Sequence, residues 1–275
     1  MDFRKIATIA AMLLLLAPQV GMASSGGAPL PKADWTFKGV FGRFDPAALK
    51  RGAQVANEVC LGCHAIKYIK YDHLRSIGLT EAEVKAFAEA QGKNKKDRML
   101  SAMSDADAKE SFGVVPPDLS LMTKARKGYE NYTYGILTGY LTEAETEMID
   151  NATSDDALSD EEIKQIAAKL HLDAHNPDYV REVVRRIGAG DNFNRYFPGN
   201  FFAMPQPLTA DAVEYADGTK TTLEQHSNDV VTFLAWAAEP SLEARKSLGI
   251  KVILYLILLT VMLFAVKRRV WAKLH

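Results

Sequence analysis

The sequence predicts a mainly α-helical protein in which helices are joined by irregular loops and one transmembrane helix ends the chain. Three observations carry this reading. Apolar residues recur at helical spacing with little alternation for sheets, capping residues stand where those segments begin, and the late run "LGIKVILYLILLTVMLFAVKRR" has no polar face. Of the 275 residues, 48% are hydrophobic and 24% charged, a balance that suits one large globular domain or two small ones.

At the N-terminus, Arg4 and Lys5 precede an apolar run from Ile6 to Leu16, and Gly21 and Ala23 supply small residues for an export peptidase. Residues 1–23 therefore read as a Sec-type signal peptide and are set apart from the fold. "FDPAALKRGAQVANEVC" is the first helix of the domain. Asp45 is its cap, Pro46 takes the first helical position, and Leu49, Gly52, Val55, Ala56 and Val59 fall at helical spacing. "LTEAEVKAFAEAQG" is capped by Thr80, has Glu83 at the capping-box position and stops at Gly92. A third helix is expected to start near Asp118, after two prolines. "LSDEEIKQIAAKLHL" and "PDYVREVVRRIG" are a fourth and a fifth, and "DVVTFLAWAAEP" closes the domain before Pro240. Gly190 to Thr222 is the longest stretch with no helical period.

The closing run is uncharged from Val252 to Val266. Those residues alone rise about 22 Å as a helix, and counting from Ser247 gives about 30 Å, the thickness of a hydrocarbon core. Lys251 then extends its amine to the interface. Lys267, Arg268, Arg269 and Lys273 follow with no acid, so the positive-inside rule places the tail, residues 268–275, in the cytoplasm. The expected organisation is a periplasmic domain over 24–246, a transmembrane helix over 247–267, and attachment to the inner membrane. Residues 24–248 carry 26 Lys and Arg against 33 Asp and Glu, an acidic balance that the whole-chain charge of −1 conceals. Such a domain repels nucleic acid and can steer a basic partner.

The chain has two cysteines, Cys60 and Cys63, and both lie in "EVCLGCHAIKYIKYDHL" with His64 directly after the second. A thioredoxin-like redox pair needs a βαβ setting that the helical surroundings do not offer. A zinc site would draw on His171 and His175 as its other half, at a separation far from finger spacing. Covalent haem suits the spacing: two thiols on one helical turn can each add to a vinyl group of one porphyrin, with the next imidazole under the iron. Cys60 and Cys63 are then the thioether anchors of one haem c, and His64 its proximal ligand. Export agrees with this, because a chain with no spare cysteine avoids mispairing outside the cytoplasm.

For the sixth position, Met204 stands out in "YFPGNFFAMPQPL", where Pro198, Gly199, Pro205 and Pro207 rule out a regular helix and can hold a loop rigidly. Met99, Met103, Met122 and Met148 lie on or beside helical segments, where core filling is the ordinary role. His171, His175, His226 and His275 are further candidates, and His73 is too near the motif to cross the ring. A thioether raises the potential and closes the site to oxygen or peroxide, which points to an electron carrier rather than a haem enzyme.

"FGRFDPAALKRGAQVANEVC", "PPDLSLMTKARKGYENYTYGILTGY", "YFPGNFFAMPQPL", "DVVTFLAWAAEP" and "RKSLGIKVILYL" with "KRRVW" occur in an order that resembles the cytochrome c1 family. The resemblance covers nearly the whole mature chain and implies a c-type cytochrome helical domain. It implies the haem subunit of a quinol:cytochrome c oxidoreductase, the bc1 complex, of bacterial type. By it the chain takes one electron from the Rieske iron-sulfur protein to its haem and passes it to a soluble cytochrome c. The implied setting is a dimeric complex in membrane lipid with cytochrome b. It also places the sixth ligand on Met204, Arg126 and Tyr132 near the haem propionates, and Pro116 and Pro117 beside the haem on the His64 side. In isolation such a subunit is not a catalyst. Two features depart from the pattern: the segment before Pro116 is short, and Asp72 stands where arginine is common. Residues 142–188, acidic at first and then helical, resemble an insert of some bacterial members.

Overall fold

The structure, a computed structural model, describes residues 28–153 and 158–272; the expected signal peptide lies outside them. In chain order the elements are α1 (Pro46–Glu58), a 3-10 turn (Cys60–Gly62), β1 (Ile66–Lys70), a 3-10 segment (Tyr71–Ile77), α2 (Glu81–Ala90), β2 (Arg98–Met99), α3 (Asp105–Phe112), α4 (Met122–Ala125), α5 (Glu130–Thr138), α6 (Glu143–Thr153), α7 (Asp160–Leu170), α8 (Pro177–Gly188), α9 (Leu223–Ala238) and α10 (Leu242–Trp271).

Helix α1 starts as its sequence dictates. Asp45 is extended and its carboxylate accepts from the Ala47 amide at 3.0 Å, with Pro46 at the first position. The apolar face of α1 packs along α9, where Val230, Val231, Phe233 and Leu234 are buried. Each such side chain contributes about 1.5–3 kcal/mol when fully removed from water. Contact is close because position 52 is glycine: a Cβ there would lie 2.0 Å from the Asp229 carbonyl oxygen. Beside it, Arg51 donates to both carboxylate oxygens of buried Asp229 at 2.8 and 3.0 Å, and to Asp217 at 2.9 Å. The two-helix seam thus joins apolar packing to a bidentate charged pair that leaves the Asp229 carboxylate partnered.

Thr80 and Glu83 form the expected capping box on α2. The helix expected near Asp118 is α4, which begins at Met122. Asp118 is engaged otherwise: its carboxylate accepts from the amides of Ser120 at 2.9 Å and Lys67 at 3.0 Å, which holds 118–121 as a turn against β1. Strands β1 and β2 pair antiparallel with an irregular register between Ile66 and Lys70. Ile66 and Ile69, three residues apart, both enter the core, so this strand never alternates in sequence.

Within 142–188 the described residues form three helices, α6, α7 and α8, and the first of them lies in the acidic part. Thr142 and Glu145 exchange amide contacts at 3.3 and 2.8 Å and start α6. Ile149 on α6, Ile163, Ile166 and Leu170 on α7, and Val180, Val183 and Val184 on α8 close a second hydrophobic cluster, completed by Phe193. Helices α6, α7 and α8 therefore form a three-helix unit around a hydrophobic cluster, seated beside the long irregular segment that follows it.

Helix α9 ends at Ala238, and after Pro240 the chain turns into α10, which begins five residues before the expected boundary at 247. Its 30 residues rise about 45 Å. An 18-residue window has a mean hydropathy of 2.5, and none of its residues is buried in the fold.

Candidate functional site

Helix α1 delivers the chain directly into the cysteine motif. The 3-10 turn opens at Cys60, and the amides of Cys63 and His64 both donate to the Cys60 carbonyl, at 3.2 and 2.8 Å. Fully buried Leu61 fixes the turn to the main core. Its carbonyl accepts from the Ala102 amide at 2.7 Å. Both thiols are free of any disulfide. Burial pushes the Cys60 thiol up to about 12, so it stays neutral at physiological pH.

The His64 ring is oriented by the chain. Its Nδ1 lies 2.8 Å from the Pro117 carbonyl oxygen. A carbonyl only accepts, so Nδ1 carries the hydrogen and the lone pair is left on Nε2. Burial lowers the pKa of His64, which also favours the neutral, ligand-competent imidazole. The Pro117 segment is itself held, through the Leu119 amide donating to Ala65 at 2.8 Å and through Asp118. Pro116 is half-buried and Pro117 exposed; the contact with His64 is made by the backbone oxygen of Pro117.

Met204, half-buried, occupies the irregular segment after α8. Tyr140, at the end of α5, donates its hydroxyl to the Met204 carbonyl at 3.0 Å, with the Pro205 carbonyl 3.2 Å away. Upstream, buried Asn194 and Asn200 knot the loop. The Asn194 amide donates to the Asn200 carbonyl at 2.8 Å, the Asn194 side chain to Ile136 at 2.7 Å, and Tyr179 of α8 to the Asn200 side chain at 2.8 Å. Arg195 donates to Tyr140 at 3.1 Å and to Glu145 on α6 at 2.7 Å. Burial works against the Glu145 charge, but Arg195 and Thr142 outweigh it and hold the carboxyl below its usual range. Sequence reasoning attributed rigidity here to proline and glycine and missed Tyr140, Asn194 and Asn200. Their signal is polar residues that the fold buries, which appears only once the fold is known.

Arg126 and Tyr132 come together at the start of α5. Arg126 is exposed, with Nη1 donating to the Ala125 carbonyl at 3.2 Å. Tyr132 is half-buried; burial raises its hydroxyl pKa, and the neighbouring Arg126 opposes that rise. The turn between them depends on Gly128, whose φ is +99° and where a Cβ would meet Leu30 at 2.3 Å. Tyr129 follows at φ +53°, a strained value for a bulky residue. Of the zinc alternative, His171 ends α7 at φ +58° and His175 is exposed beside Asp173. Among the described residues no cluster of three or more His, Cys, Asp or Glu is arranged to hold a metal.

The family model of the Cytochrome C1 family matches residues 35–274. The chain belongs to the cytochrome c1 family. It is 38% identical to cytochrome c1 of Rhodospirillum rubrum, across 97% of this chain and 96% of that one. It is 32% identical to the mitochondrial cytochrome b-c1 complex catalytic subunit of Candida albicans, across 90% of this chain and 80% of that one. It is also 33% identical to cytochrome b/c1 of Bradyrhizobium diazoefficiens, across 98% of this chain and 40% of that one. As a member of the cytochrome c1 family it is the haem subunit of a bc1 complex, with one haem c bound covalently through Cys60 and Cys63. The site fits that group: two unpaired thiols span one turn, and an adjacent neutral imidazole keeps Nε2 for iron. Helix α10 fits its single-pass membrane anchor.

Proposed function

We propose that this chain accepts one electron from the Rieske iron-sulfur protein and passes it to a soluble cytochrome c. Haem c supplies one-electron iron chemistry, and the protein supplies ligation, burial and docking charge. His64 and Met204 would hold the haem iron. Arg126, with Tyr132, offsets the propionate charge, and the Pro116 and Pro117 segment borders the haem on the His64 side. The observation that carries this reading is the tie between His64 Nδ1 and Pro117, which places the ring hydrogen on Nδ1 and leaves the Nε2 lone pair for a metal.

The organisation that goes with it is a signal peptide over 1–23, a periplasmic domain over 24–246, a span over 247–267 and a cytoplasmic tail. Cytochrome b, in a dimeric inner-membrane complex, oxidises the quinol. Charge distribution supports a basic acceptor. Residues 142–188 contain 12 Asp and Glu against 5 Lys and Arg, which accounts for the entire acidic excess of the domain. That unit packs against the Met204 loop through Phe193 and Phe201, so its field lies beside the loop and favours approach of a cation-rich protein there.

The test is capture of the chain from mildly solubilised native membranes by a C-terminal tag. Antimycin-sensitive quinol:cytochrome c reductase activity together with b- and c-haem spectra is the expected result. A c-haem spectrum without b haem or activity, while the membranes keep their reductase, contradicts it and identifies a free-standing anchored cytochrome.

A further inference from the structure

From the geometry of residues 37–44 we infer that this turn is a second membrane contact, inserting Val40 and Phe41 into the lipid interface beside α10. Both stems of the turn are fixed in the core: Phe37 and Phe44 are buried and their ring centroids lie 4.8 Å apart. The tip is turned out. Phe41 is 82% exposed and Val40 63%, although an aromatic side chain of this size ordinarily finds cover in a folded domain.

The anchor helix itself sets the position of the turn. Lys246 Nζ donates to the carbonyls of Phe37 at 2.6 Å and Gly42 at 3.1 Å, closing the turn onto the first part of α10. Three residues earlier, Glu243 accepts from the Phe44 amide at 2.9 Å. Lys246 directly precedes Ser247, where a span of about 30 Å begins, so the strapped turn lies at headgroup depth. Apolar and aromatic side chains flanked by cations are what that layer accommodates. Arg43, exposed on the same turn, places a cation beside the tip for lipid phosphates. The turn is strapped to α10 at Glu243 and Lys246, directly before the apolar stretch in which Leu248, Val252 and Ile253 are likewise exposed. The occupant is therefore bilayer rather than a soluble protein. The strap also fixes how the haem domain stands over the membrane, because a single helix alone leaves it free to tilt.

The test uses the full haem-loaded chain in nanodiscs of zwitterionic and anionic phospholipid. A nitroxide is attached at Phe41→Cys and, separately, at Val40→Cys; haem attachment consumes Cys60 and Cys63. Tyr255→Cys in the span and Asp178→Cys on the insert serve as lipid and water references. Collision with oxygen, rather than with a water-soluble nickel chelate, is expected at 40 and 41, as at 255. A preference for nickel matching that at 178 overturns the proposal. In a Lys246→Met background the label at 41 is expected to shift toward the water reference; an unchanged collision ratio overturns the role of the strap.

Discussion

The Nδ1 of His64 lies 2.8 Å from the carbonyl oxygen of Pro117. This contact fixes the tautomer and, with His64 as the proposed proximal ligand, would make its other nitrogen a better donor to ferric iron. Pro117→Gly loosens the segment and weakens the contact without deleting the ligand. The midpoint potential of the haem should rise, by on the order of 30 mV, the one-electron equivalent of about half a typical hydrogen bond. Redox titration of the purified protein checks this; an unchanged potential shows that the carbonyl only positions the ring.

Met204→Ala removes the proposed thioether ligand and leaves the Tyr140 contact, which is to the backbone of residue 204. The potential should fall by on the order of 100 mV or more, within the roughly 0.8 V that axial ligands command, and carbon monoxide should bind the reduced haem. A normal potential with no binding of carbon monoxide would transfer the sixth ligand to another residue.

Arg126→Gln removes a cation from beside Tyr132 and, in this account, from the propionates. Oxidised haem carries one more positive charge than reduced haem, so loss of a cation favours the oxidised form. A fall of tens of millivolts, on the order of 1 kcal/mol, is expected by titration, and it should shrink at high salt because Arg126 is exposed.

Gly52→Ala adds a methyl where the backbone of Asp229 already stands 2.0 Å away. The α1 and α9 helices must separate, at a cost of about 3 kcal/mol, the upper end for overpacking. A lowered apparent melting temperature of the solubilised holoprotein is the readout, with Ala53→Gly on the same helix as a milder comparison.

Asp217 gives an acid limb to stability. The Thr219 amide, followed by Arg51, lowers its carboxyl from the ordinary 3.8 to about 2. Its contribution is complete above pH 3.8 and is lost as pH falls toward 2. The difference in melting temperature between the native chain and Asp217→Asn should be constant near neutrality, shrink below pH 4 and vanish near pH 2.

Much of the fold is written in local chemistry. Asp45 with Pro46, and Thr80 with Glu83, announce their helices because a cap and its amides are neighbours in sequence. Thr142 and Glu145 form the same box, yet the acids around them mask a helix whose burial rests on Ile149 and Met148 meeting α7 and α8. Asp118 misled in the opposite direction, since its partner Lys67 is 51 positions away. The site divides along the same line. Cys60 and Cys63 are legible from their spacing, and His64 and Met204, the proposed ligands, stand out by motif and loop composition. Tyr140, Asn194 and Asn200 are not, because their partners are backbone groups that only folding brings near.

The most direct test of the central claim is rapid mixing of the purified complex with quinol, following the c-haem optically, then adding oxidised soluble cytochrome c. The account predicts that the c-haem is reduced by one electron, that removal of the Rieske protein abolishes this reduction, and that the added cytochrome c reoxidises it. Reduction of the soluble cytochrome while the c-haem stays oxidised, or c-haem reduction that persists without the Rieske protein, would contradict it.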